Sequence, residues 1–332
     1  MSAAPLAVSL GDPAGIGPEL IAEAWRRRDA EALSPFFVCG GAAVLVAAAK
    51  TRGFDLPIAQ ISDPDEASAA FSHALPVLGP RDGAYTPGQP SREGAALALA
   101  SLSEATRLAV AGSAAGIVTG PIAKSRLAEV GFDHPGQTEF VAQACGVAPE
   151  DAVMLLAGPR LRTVPLTVHV ALAAVPTLIS TELIVRRARI VDAGFRRDFG
   201  LAAPRLAVAA LNPHAGEDGR FGDEDQRVVA PAVAMLRAEG IDASGPHPAD
   251  ALFAPHARDG YDVALCMYHD QALIPLKALD FDNGVNMTLG LPIVRTSPDH
   301  GTAFAIAGQH VANAGATIAA VRMAGDCAAR RA

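Results

Sequence analysis

Short apolar runs alternate with helix-like patterns along almost the whole chain. Apolar runs of strand length occur at residues 6–10, 36–39, 116–119 and 153–157, and alanine-rich helical patterns such as 94–112 lie between them. Such alternation is typical of parallel strands, because a parallel connection needs a long crossover that is usually helical. The pattern predicts an α/β fold with mostly parallel sheets. Further strands are predicted at 56–61, 162–170, 205–211 and 262–267, and further helices at 20–25, 41–50, 140–145, 177–199, 223–239 and 316–323.

The composition limits the classes of protein to which the chain can belong. Its 332 residues are enough for two domains, and no low-complexity tract interrupts them. The formal net charge of -8 argues against a nucleic-acid or anionic-membrane partner, since both attract basic patches. The chain has neither a signal-peptide pattern nor an apolar run long enough to span a membrane, and its four cysteines include no CxxC pair. These features predict an ordered cytoplasmic protein with reduced thiols.

A glycine-rich stretch, GDPAGIGPE at residues 11–19, follows the first predicted strand and precedes a helix. Turns of this kind bring backbone N–H groups and a helix N-terminus close to an anion or a cofactor. The stretch is neither GxGxxG nor a Walker A loop, so a plain tight turn is an equally good interpretation. A second strand-to-helix turn ends at Lys124, which either reaches the carboxyl edge of the sheet or is a solvated helix lysine. Thr138 opens a further predicted helix, where a threonine often serves only as an N-cap.

Residues 266–308 carry more charged and hydrogen-bonding side chains than a core-filling segment would. The stretch holds two histidines, a lysine, an arginine, two asparagines and several acids among apolar residues. Buried polar groups need partners, so such a stretch is typical of an active-site wall. Lys277 and Arg295 have the charge and the donors to bind a phosphate or a carboxylate. The alternative partners are the nearby acids Asp280, Asp282 and Asp299.

Three of the nine histidines follow strand-like runs: His169, His214 and His269. Open α/β sheets build their sites at the carboxyl ends of strands, so these imidazoles are expected to lie near one another. Neutral imidazoles on a rigid sheet edge are suitable ligands for Zn²⁺, Co²⁺ or a similar divalent ion. A single histidine at a strand end is usually structural, so the metal prediction depends on the coincidence of three.

Several motifs together are similar to those of the 4-hydroxythreonine-4-phosphate dehydrogenase (PdxA) family. They are GDPAGIGPE, TGPIAK, DHPGQTE, LNPHAGE, PADALF, YHDQALIPLK and GVNMTLGLPIVRTSPDHGTAF, in order between residues 11 and 308. The resemblance implies an isopropylmalate-dehydrogenase-like fold with an active-site cleft between two domains, and a homodimer with the active site at the subunit interface. We expect a cofactor-side domain at 1–133 plus 280–332, and a metal, substrate and dimerisation domain at 134–279.

The same resemblance implies roles for particular residues. A divalent metal, with zinc, magnesium and cobalt as candidates, would be held by His169, His214 and His269. Contacts with a small phosphorylated amino-acid substrate fall on Gln137, Thr138, Lys277, Asn286 and Arg295. The candidates for catalytic proton transfer are Asp270 and Lys277. NAD or NADP is expected to bind the region 297–308, at Asp299, His300, Gly301 and Thr302.

The reaction implied by the resemblance is a step of pyridoxal 5′-phosphate (vitamin B6) biosynthesis. NAD(P)⁺ oxidises the 3-hydroxyl of 4-phosphooxy-L-threonine, and loss of CO₂ then gives 3-amino-2-oxopropyl phosphate. The alternative is a related metal-dependent dehydrogenase of 4-phospho-D-threonate, 4-phosphoerythronate or a dihydrodiol, and a further one is a metal-dependent lyase without nicotinamide. One residue departs from the family pattern, since Gln137 stands where the family usually has histidine. Glutamine forms hydrogen bonds but cannot carry charge or transfer a proton.

Overall fold

A computed structural model describes residues 4–332, which form 12 strands and 13 helices. The strands are β1 (Leu6–Ser9), β2 (Phe36–Cys39), β3 (Ile58–Ile61), β4 (Leu75–Leu78), β5 (Ile117–Thr119), β6 (Val153–Ala157), β7 (Arg162–Pro165), β8 (Arg205–Ala209), β9 (Asp242–His247), β10 (Val263–Cys266), β11 (Val285–Leu289) and β12 (Arg295–Pro298). The helices are α1 (Gly17–Arg26), α2 (Ala42–Thr51), α3 (Ala67–Ala70), α4 (Arg92–Val110), α5 (Lys124–Ala128), α6 (Gln137–Ala144), α7 (Val175–Leu178), α8 (Thr181–Phe199), α9 (Ala230–Ala238), α10 (Ala249–Leu252), α11 (Pro255–Arg258), α12 (His269–Asp280) and α13 (Gly315–Arg331).

The first of two compact units, Met1–Ala152 with Leu291–Ala332, contains six parallel strands in the order β3-β4-β2-β1-β5-β12. Every residue of β1 and β2 is buried, as expected for central strands of a sheet that is covered on both faces. Ser101 of α4 accepts a hydrogen bond from the backbone N–H of Leu10 (2.8 Å), just beyond the end of β1. The buried face of α4 therefore holds the point at which the glycine-rich stretch begins.

The second unit, Val153–Gly290, has the strand order β11-β6-β7-β10-β8-β9. β6 is antiparallel to both of its neighbours, whereas the strands from β7 to β9 run parallel. The carboxyl ends of β7, β10 and β8 therefore lie side by side at one edge of the sheet. The chain continues from each of these three ends into a segment that contains one of the predicted metal ligands.

The two longest helices of 19 residues each begin at a serine that acts as an N-cap. Ser91 accepts from the backbone N–H of Gly94 (3.0 Å), and Ser180 accepts from that of Leu183 (3.1 Å). α8 ends at Gly200, whose φ of 69° lies in the left-handed region that glycine adopts without strain. None of the described helices is both long and apolar enough to cross a membrane.

The predicted fold class, α/β with mostly parallel sheets, is confirmed. The bounds of β2 and β6 are those predicted. The predicted strand 162–170 is too long, because β7 ends at Pro165 and His169 lies beyond it. The apolar pattern does not predict β4, β9, β11 and β12, since β4 contains Pro76 and the other three are rich in polar residues, glycine or proline.

The boundaries of the two units differ from the predicted domain boundaries. The first unit extends to Ala152 because Val141 and Ala142 of α6 pack with Ala152 and Leu291 in one buried cluster. The second unit extends to Gly290 because β11 pairs with β6 along its whole length. The assignment of cofactor binding to one unit and of metal binding to the other stays a prediction.

Replacement of Ser101 by alanine is expected to destabilise the first unit. The change leaves the buried N–H of Leu10 without an acceptor, which costs about 1–3 kcal/mol. Urea unfolding followed by circular dichroism measures the loss. Ser103, exposed on the same helix, provides the matched control, and Ser103→Ala is expected to change the free energy of unfolding by less than about 0.5 kcal/mol. Equal effects of the two changes would contradict the assigned hydrogen bond.

Candidate active site

The parallel alignment of β7 and β10 continues beyond the two strands. The backbone N–H of Leu166 donates to the carbonyl of Cys266 (2.8 Å), and the hydroxyl of Thr167 donates to the carbonyl of Met267 (2.8 Å). The two segments therefore stay side by side until each reaches a histidine. The ring centroids of His169 and His269 lie 6.0 Å apart. Two of the three predicted metal ligands are thus brought together.

His269 is the first residue of α12, and the next residue orients its ring. Nδ1 of His269 lies 2.7 Å from a carboxylate oxygen of Asp270. Because an ionised carboxylate can only accept, Nδ1 carries the hydrogen, and the lone pair of Nε2 remains available. Metal-binding histidines are typically oriented by an outer carboxylate in this way, so the pair fits a divalent ion. Asp270, predicted as a catalytic residue, therefore contacts an imidazole.

Two of the candidate metal ligands have an unusual backbone conformation. His169 and His214 have φ values of 52° and 53°, in the left-handed region that residues with a Cβ seldom adopt. Such conformations cost about 1–3 kcal/mol and concentrate at functional sites, where the surrounding structure maintains them. Backbone strain at both positions is a sign of function that no sequence pattern reveals.

His214 lies in a turn that a buried acid holds in place. The carboxylate of Asp225 accepts hydrogen bonds from the backbone N–H groups of Leu211 (2.7 Å) and Asn212 (3.0 Å), at the end of β8. The ring of His214 lies 6.1 Å from that of Phe221. Among residues 4–332, no group of three histidine, cysteine, aspartate or glutamate side chains is arranged to hold a metal. In the structure, therefore, His169 and His269 form an adjacent pair, and His214 follows β8, the strand that pairs with β10.

An open pocket of about 270 Å³ lies beside the imidazole pair. His169, His269 and Asp270 form its polar wall, and Val170 and Leu172 belong to its apolar wall. The pocket is large enough for a small metabolite but not for a dinucleotide as well.

Lys277 and Asn286 lie in the same unit as the histidines. Lys277 is half-buried on α12, seven residues after Asp270 and so on the same helix face. Oδ1 of Asn286 in β11 is buried, and it has no hydrogen-bond partner within the described part of the chain. Asp280, an alternative partner for Lys277, binds the guanidinium of Arg160 (2.8 Å). The Oδ1 atom of Asn286 is therefore available to accept a hydrogen bond from a ligand.

Arg295 and Thr138, two predicted substrate contacts, meet in the first unit although 157 residues separate them. Nη1 of Arg295 donates to Thr138 Oγ1 (3.2 Å), and Nη2 donates to Thr119 Oγ1 (2.9 Å). Burial lowers the pKa of Arg295 to about 10, and the neighbouring carboxylate of Glu139 opposes the shift, so the side chain is a cation at neutral pH. Thr138 does not cap α6, whose N-cap is Gly136.

Polar and cationic groups surround the start of α6. Nε2 of Gln137 donates to the carbonyl of Gly120 (3.1 Å), while its Oε1 is buried and accepts no hydrogen bond within residues 4–332. A Cβ added to Gly136 would lie 3.6 Å from Nζ of Lys124, so this lysine points towards the same turn. Lys124 is also exposed at the start of α5, so both of its interpretations stay open.

The glycine-rich stretch uses its backbone N–H groups within the protein. The N–H of Asp12 donates to the carbonyl of Pro121 (2.9 Å), and that of Ile16 donates to the carbonyl of Thr302 (3.0 Å). The N–H of Ala14 donates to the carboxylate of Asp12 (3.0 Å). These bonds favour the tight-turn interpretation. The predicted cofactor residues, Asp299, His300, Gly301 and Thr302, follow directly after β12.

Sequence reasoning misses three buried polar residues behind the site: Asp225, Gln271 and Glu19. Gln271 accepts from the N–H of Met267 (2.7 Å) and donates to the carbonyl of Ala210 (2.8 Å), so it joins the ends of β10 and β8. Each of the three binds at least one backbone group that lies 13 or more residues away in the sequence. A polar residue on the apolar face of its helix pattern is the only available signal.

The fold and these groups at strand ends define an α/β enzyme of small-molecule metabolism. A family model described as pyridoxal phosphate biosynthetic protein PdxA matches residues 32–324. A 4-hydroxythreonine-4-phosphate dehydrogenase of Erythrobacter litoralis is 66% identical over 328 residues, which cover 99% of this chain and 98% of that protein. One of Zymomonas mobilis is 52% identical over 328 residues, with coverages of 98% and 96%. The crystal structure of the Klebsiella pneumoniae enzyme has a TM-score of 0.85 at 37% identity and covers 98% of both chains.

The chain therefore belongs to the PdxA family. The family that the sequence motifs indicate is thus confirmed. The names of these relatives support the predicted dehydrogenase, and they do not favour the phosphothreonate, phosphoerythronate or dihydrodiol alternatives.

Replacement of Asp225 by asparagine is expected to loosen the turn that carries His214. Asparagine has one acceptor oxygen in place of two, so at least one of the two backbone N–H groups loses its partner, at a cost of about 1–3 kcal/mol. Hydrogen exchange measured by mass spectrometry should become faster in residues 211–217. Asp223→Asn, two residues earlier and exposed, is the control, and no change of exchange rate is expected there. Slow exchange in both variants would show that Asp225 does not hold the turn.

Proposed function

We propose that this chain oxidises 4-phosphooxy-L-threonine with NAD or NADP and releases CO₂ to give 3-amino-2-oxopropyl phosphate, in pyridoxal 5′-phosphate biosynthesis. One geometric observation carries the proposal: the contact between the buried Arg295 and Thr138 in the first unit. Both were assigned to the substrate by the resemblance, and a buried arginine with hydroxyl partners is suited to an anionic ligand. The names of the relatives at 66% and 52% identity supply the reaction class.

Binding of the phosphorylated substrate is assigned to Arg295, Thr138, Lys277, Asn286 and Gln137. Arg295 offers a planar fork of donors, which matches two oxygens of a phosphate or a carboxylate. Lys277 adds a second cation on a helix. Asn286 and Gln137 each have a buried carbonyl oxygen without a hydrogen-bond partner among the described residues, and these oxygens suit the amino or hydroxyl group of the substrate.

The divalent metal is assigned to His169, His214 and His269, with zinc, cobalt or magnesium as candidates. The half-exposed imidazole pair and the outer carboxylate of Asp270 fit such an ion. A divalent ion at these residues would supply Lewis-acid chemistry, which eases loss of a hydroxyl proton and polarises a carbonyl.

Proton transfer is assigned to Asp270 and Lys277. The hydroxyl proton must leave as the hydride passes to the nicotinamide, and the carboxylate of Asp270, on the same face of α12 as Lys277, can accept it. Loss of CO₂ then leaves an electron pair on the neighbouring carbon, and Lys277 is suited to return a proton to it. The cofactor itself is assigned to Asp299, His300, Gly301 and Thr302, at the carboxyl end of β12.

A homodimer with its active site at the subunit interface is part of the proposal. Large apolar side chains are exposed around the histidines and along α12: Val170, Leu172, Phe221, Ile274 and Phe281. Large exposed apolar side chains are suited to an interaction surface, and a second copy of the chain is the partner that the family resemblance implies. Such a dimer also offers a way to complete the metal site, because within residues 4–332 of one chain no three ligands are arranged to hold an ion.

The four cysteines are free thiols, as is typical of proteins in a reducing compartment, and we assign the enzyme to the cytoplasm. No disulfide joins the four cysteines, and Cys39, Cys266 and Cys327 are buried. Burial raises the pKa of Cys39 and of Cys266, so neither is a reactive thiolate at neutral pH.

Turnover that requires both nicotinamide and metal is the expected behaviour of the purified protein. NADH or NADPH should form from 4-phosphooxy-L-threonine, a chelator should stop the reaction, and added Zn²⁺, Co²⁺ or Mg²⁺ should restore it. His269→Ala should lose bound metal and lower the rate on the order of 100-fold. His256→Ala, at an exposed position of α11, is the control and should change neither. Full activity and metal content in His269→Ala would refute the assigned metal site.

Replacement of Leu172 by aspartate is expected to convert the dimer into monomers. The side chain is 67% exposed in one chain, and a charge there would be buried without a partner in the dimer. Light scattering coupled to size exclusion gives the mass. Val110→Asp places a charge at another exposed apolar residue, in the first unit, and should leave the dimer intact. A Leu172→Asp protein that stays dimeric would exclude this surface as the interface.

A further inference from the structure

The carboxylate of Glu19 is fully buried near the start of α1, and two loops converge on it. Its Oε1 atom accepts one hydrogen bond from the hydroxyl of Tyr85 (2.7 Å) and another from the backbone N–H of Gly308 (2.6 Å). Its Oε2 atom lies 3.6 Å from Nη1 of Arg52. A buried carboxylate is costly unless charges and donors surround it, and here they come from three separate parts of the chain.

Gly308 closes the segment 299–308, which begins with the proposed cofactor residues. The segment is also held at Thr302, whose carbonyl accepts a hydrogen bond from the N–H of Ile16 (3.0 Å). The glycine-rich stretch and the helix that follows it therefore hold the segment at two points. One point uses the backbone at Ile16, and the other uses the carboxylate of Glu19, three residues later.

The segment has a shape that needs such support. Ala303 and Gly308 have φ values of 45° and 75°, and the left-handed conformation of an alanine is unfavourable unless neighbouring groups impose it. The loop that carries Tyr85 packs on the segment as well, because a Cβ added to Gly88 would lie 3.2 Å from the carbonyl oxygen of Phe304. Glu19 thus joins two loops that lie against each other.

The hydrogen bond from Tyr85 is a stable one. Burial, together with the hydrogen bond to Glu19, raises the pKa of the Tyr85 phenol, so the phenol keeps its proton and remains a donor. Both partners of Oε1, the hydroxyl of Tyr85 and the N–H of Gly308, therefore remain donors at neutral pH.

We propose that Glu19 positions the binding segment of the nicotinamide cofactor: it holds residues 302–308 in the conformation that binds the dinucleotide. The inference rests on the proposed function, since it takes the chain after β12 as the cofactor-binding segment. Glu19 acts through the backbone of Gly308 and through Tyr85. Its loss should weaken nicotinamide binding, whereas the substrate contacts of Arg295 lie on other elements and should keep their strength.

Steady-state kinetics with both substrates varied tests this role. Glu19→Ala should raise the KM for NAD(P)⁺ on the order of tenfold or more, because two hydrogen bonds to a charged group are lost. The KM for the phosphorylated substrate and kcat should change less than about twofold. Glu19→Gln keeps an acceptor oxygen and should recover part of the loss. Tyr85→Phe removes one of the two bonds and should give a smaller increase.

Glu23→Gln is the matched control. Glu23 lies one turn further along α1, is buried, and lies 3.9 Å from Nε of Arg52, but it forms no hydrogen bond with residues 299–308 in the described structure. Hydrogen exchange in the cofactor-free protein provides a second readout. Peptides from 299–308 should exchange faster in Glu19→Ala and at the wild-type rate in Glu23→Gln.

The outcomes separate this inference from the proposed function. A wild-type protein without nicotinamide-dependent turnover would refute the proposed function itself. Normal wild-type turnover, with an unchanged KM for NAD(P)⁺ in Glu19→Ala, would refute only the positioning role. Equal increases of both KM values, with exchange accelerated throughout the first unit, would reduce Glu19 to a general stabilising residue. If Glu19→Ala does not fold, an unchanged nicotinamide KM in both Glu19→Gln and Tyr85→Phe overturns the proposal.

Discussion

The parallel pairing of β7 with β10 and of β10 with β8 is the constraint on which the site of the second unit depends. Parallel strands end at the same edge, so the segments that follow them start side by side, and His169 and His269 meet because of it. A slip of one residue in this register would turn the side chains to the opposite face. Gln271 opposes such a slip, since it joins the N–H of Met267 to the carbonyl of Ala210 and so links the two strand ends.

Buried charges lie directly behind the parts of the chain that are assigned to chemistry. Asp225 holds the turn before His214, Glu19 holds the segment that ends at Gly308, and Arg295 contacts Thr138 itself. A buried charge contributes little net stability, because desolvation cancels most of the attraction. What each charge does supply is a defined geometry, because its hydrogen-bond partners must be held in fixed positions to satisfy it. This explains why polar residues persist at positions that an apolar side chain could fill.

The sequence predicts the α/β class and most strands, because apolar periodicity is a local signal, and the order of its motifs predicts the family. It does not predict β11 and β12, because their polar residues interrupt the apolar pattern that indicates a strand. Pairing with neighbouring strands stabilises them instead. The sequence also predicts Arg295 and Thr138 only through resemblance, as nothing local joins two residues that are 157 positions apart. The left-handed backbone of His169 is not predictable at all, because it follows from the tertiary surroundings and not from residue type.

The orientation of Gln137 limits what this residue can recognise. Its Nε2 group donates to the carbonyl of Gly120, which can only accept, so the amide cannot be turned round. The remaining Oε1 atom is a neutral acceptor in a buried position. An acceptor repels phosphate and carboxylate oxygens and attracts ammonium or hydroxyl hydrogens. We therefore propose that Gln137 contacts a donor group of the substrate, and that the negative charge is bound by cations such as Arg295. The exchange of histidine for glutamine then removes a proton-transfer group without removing the anion site.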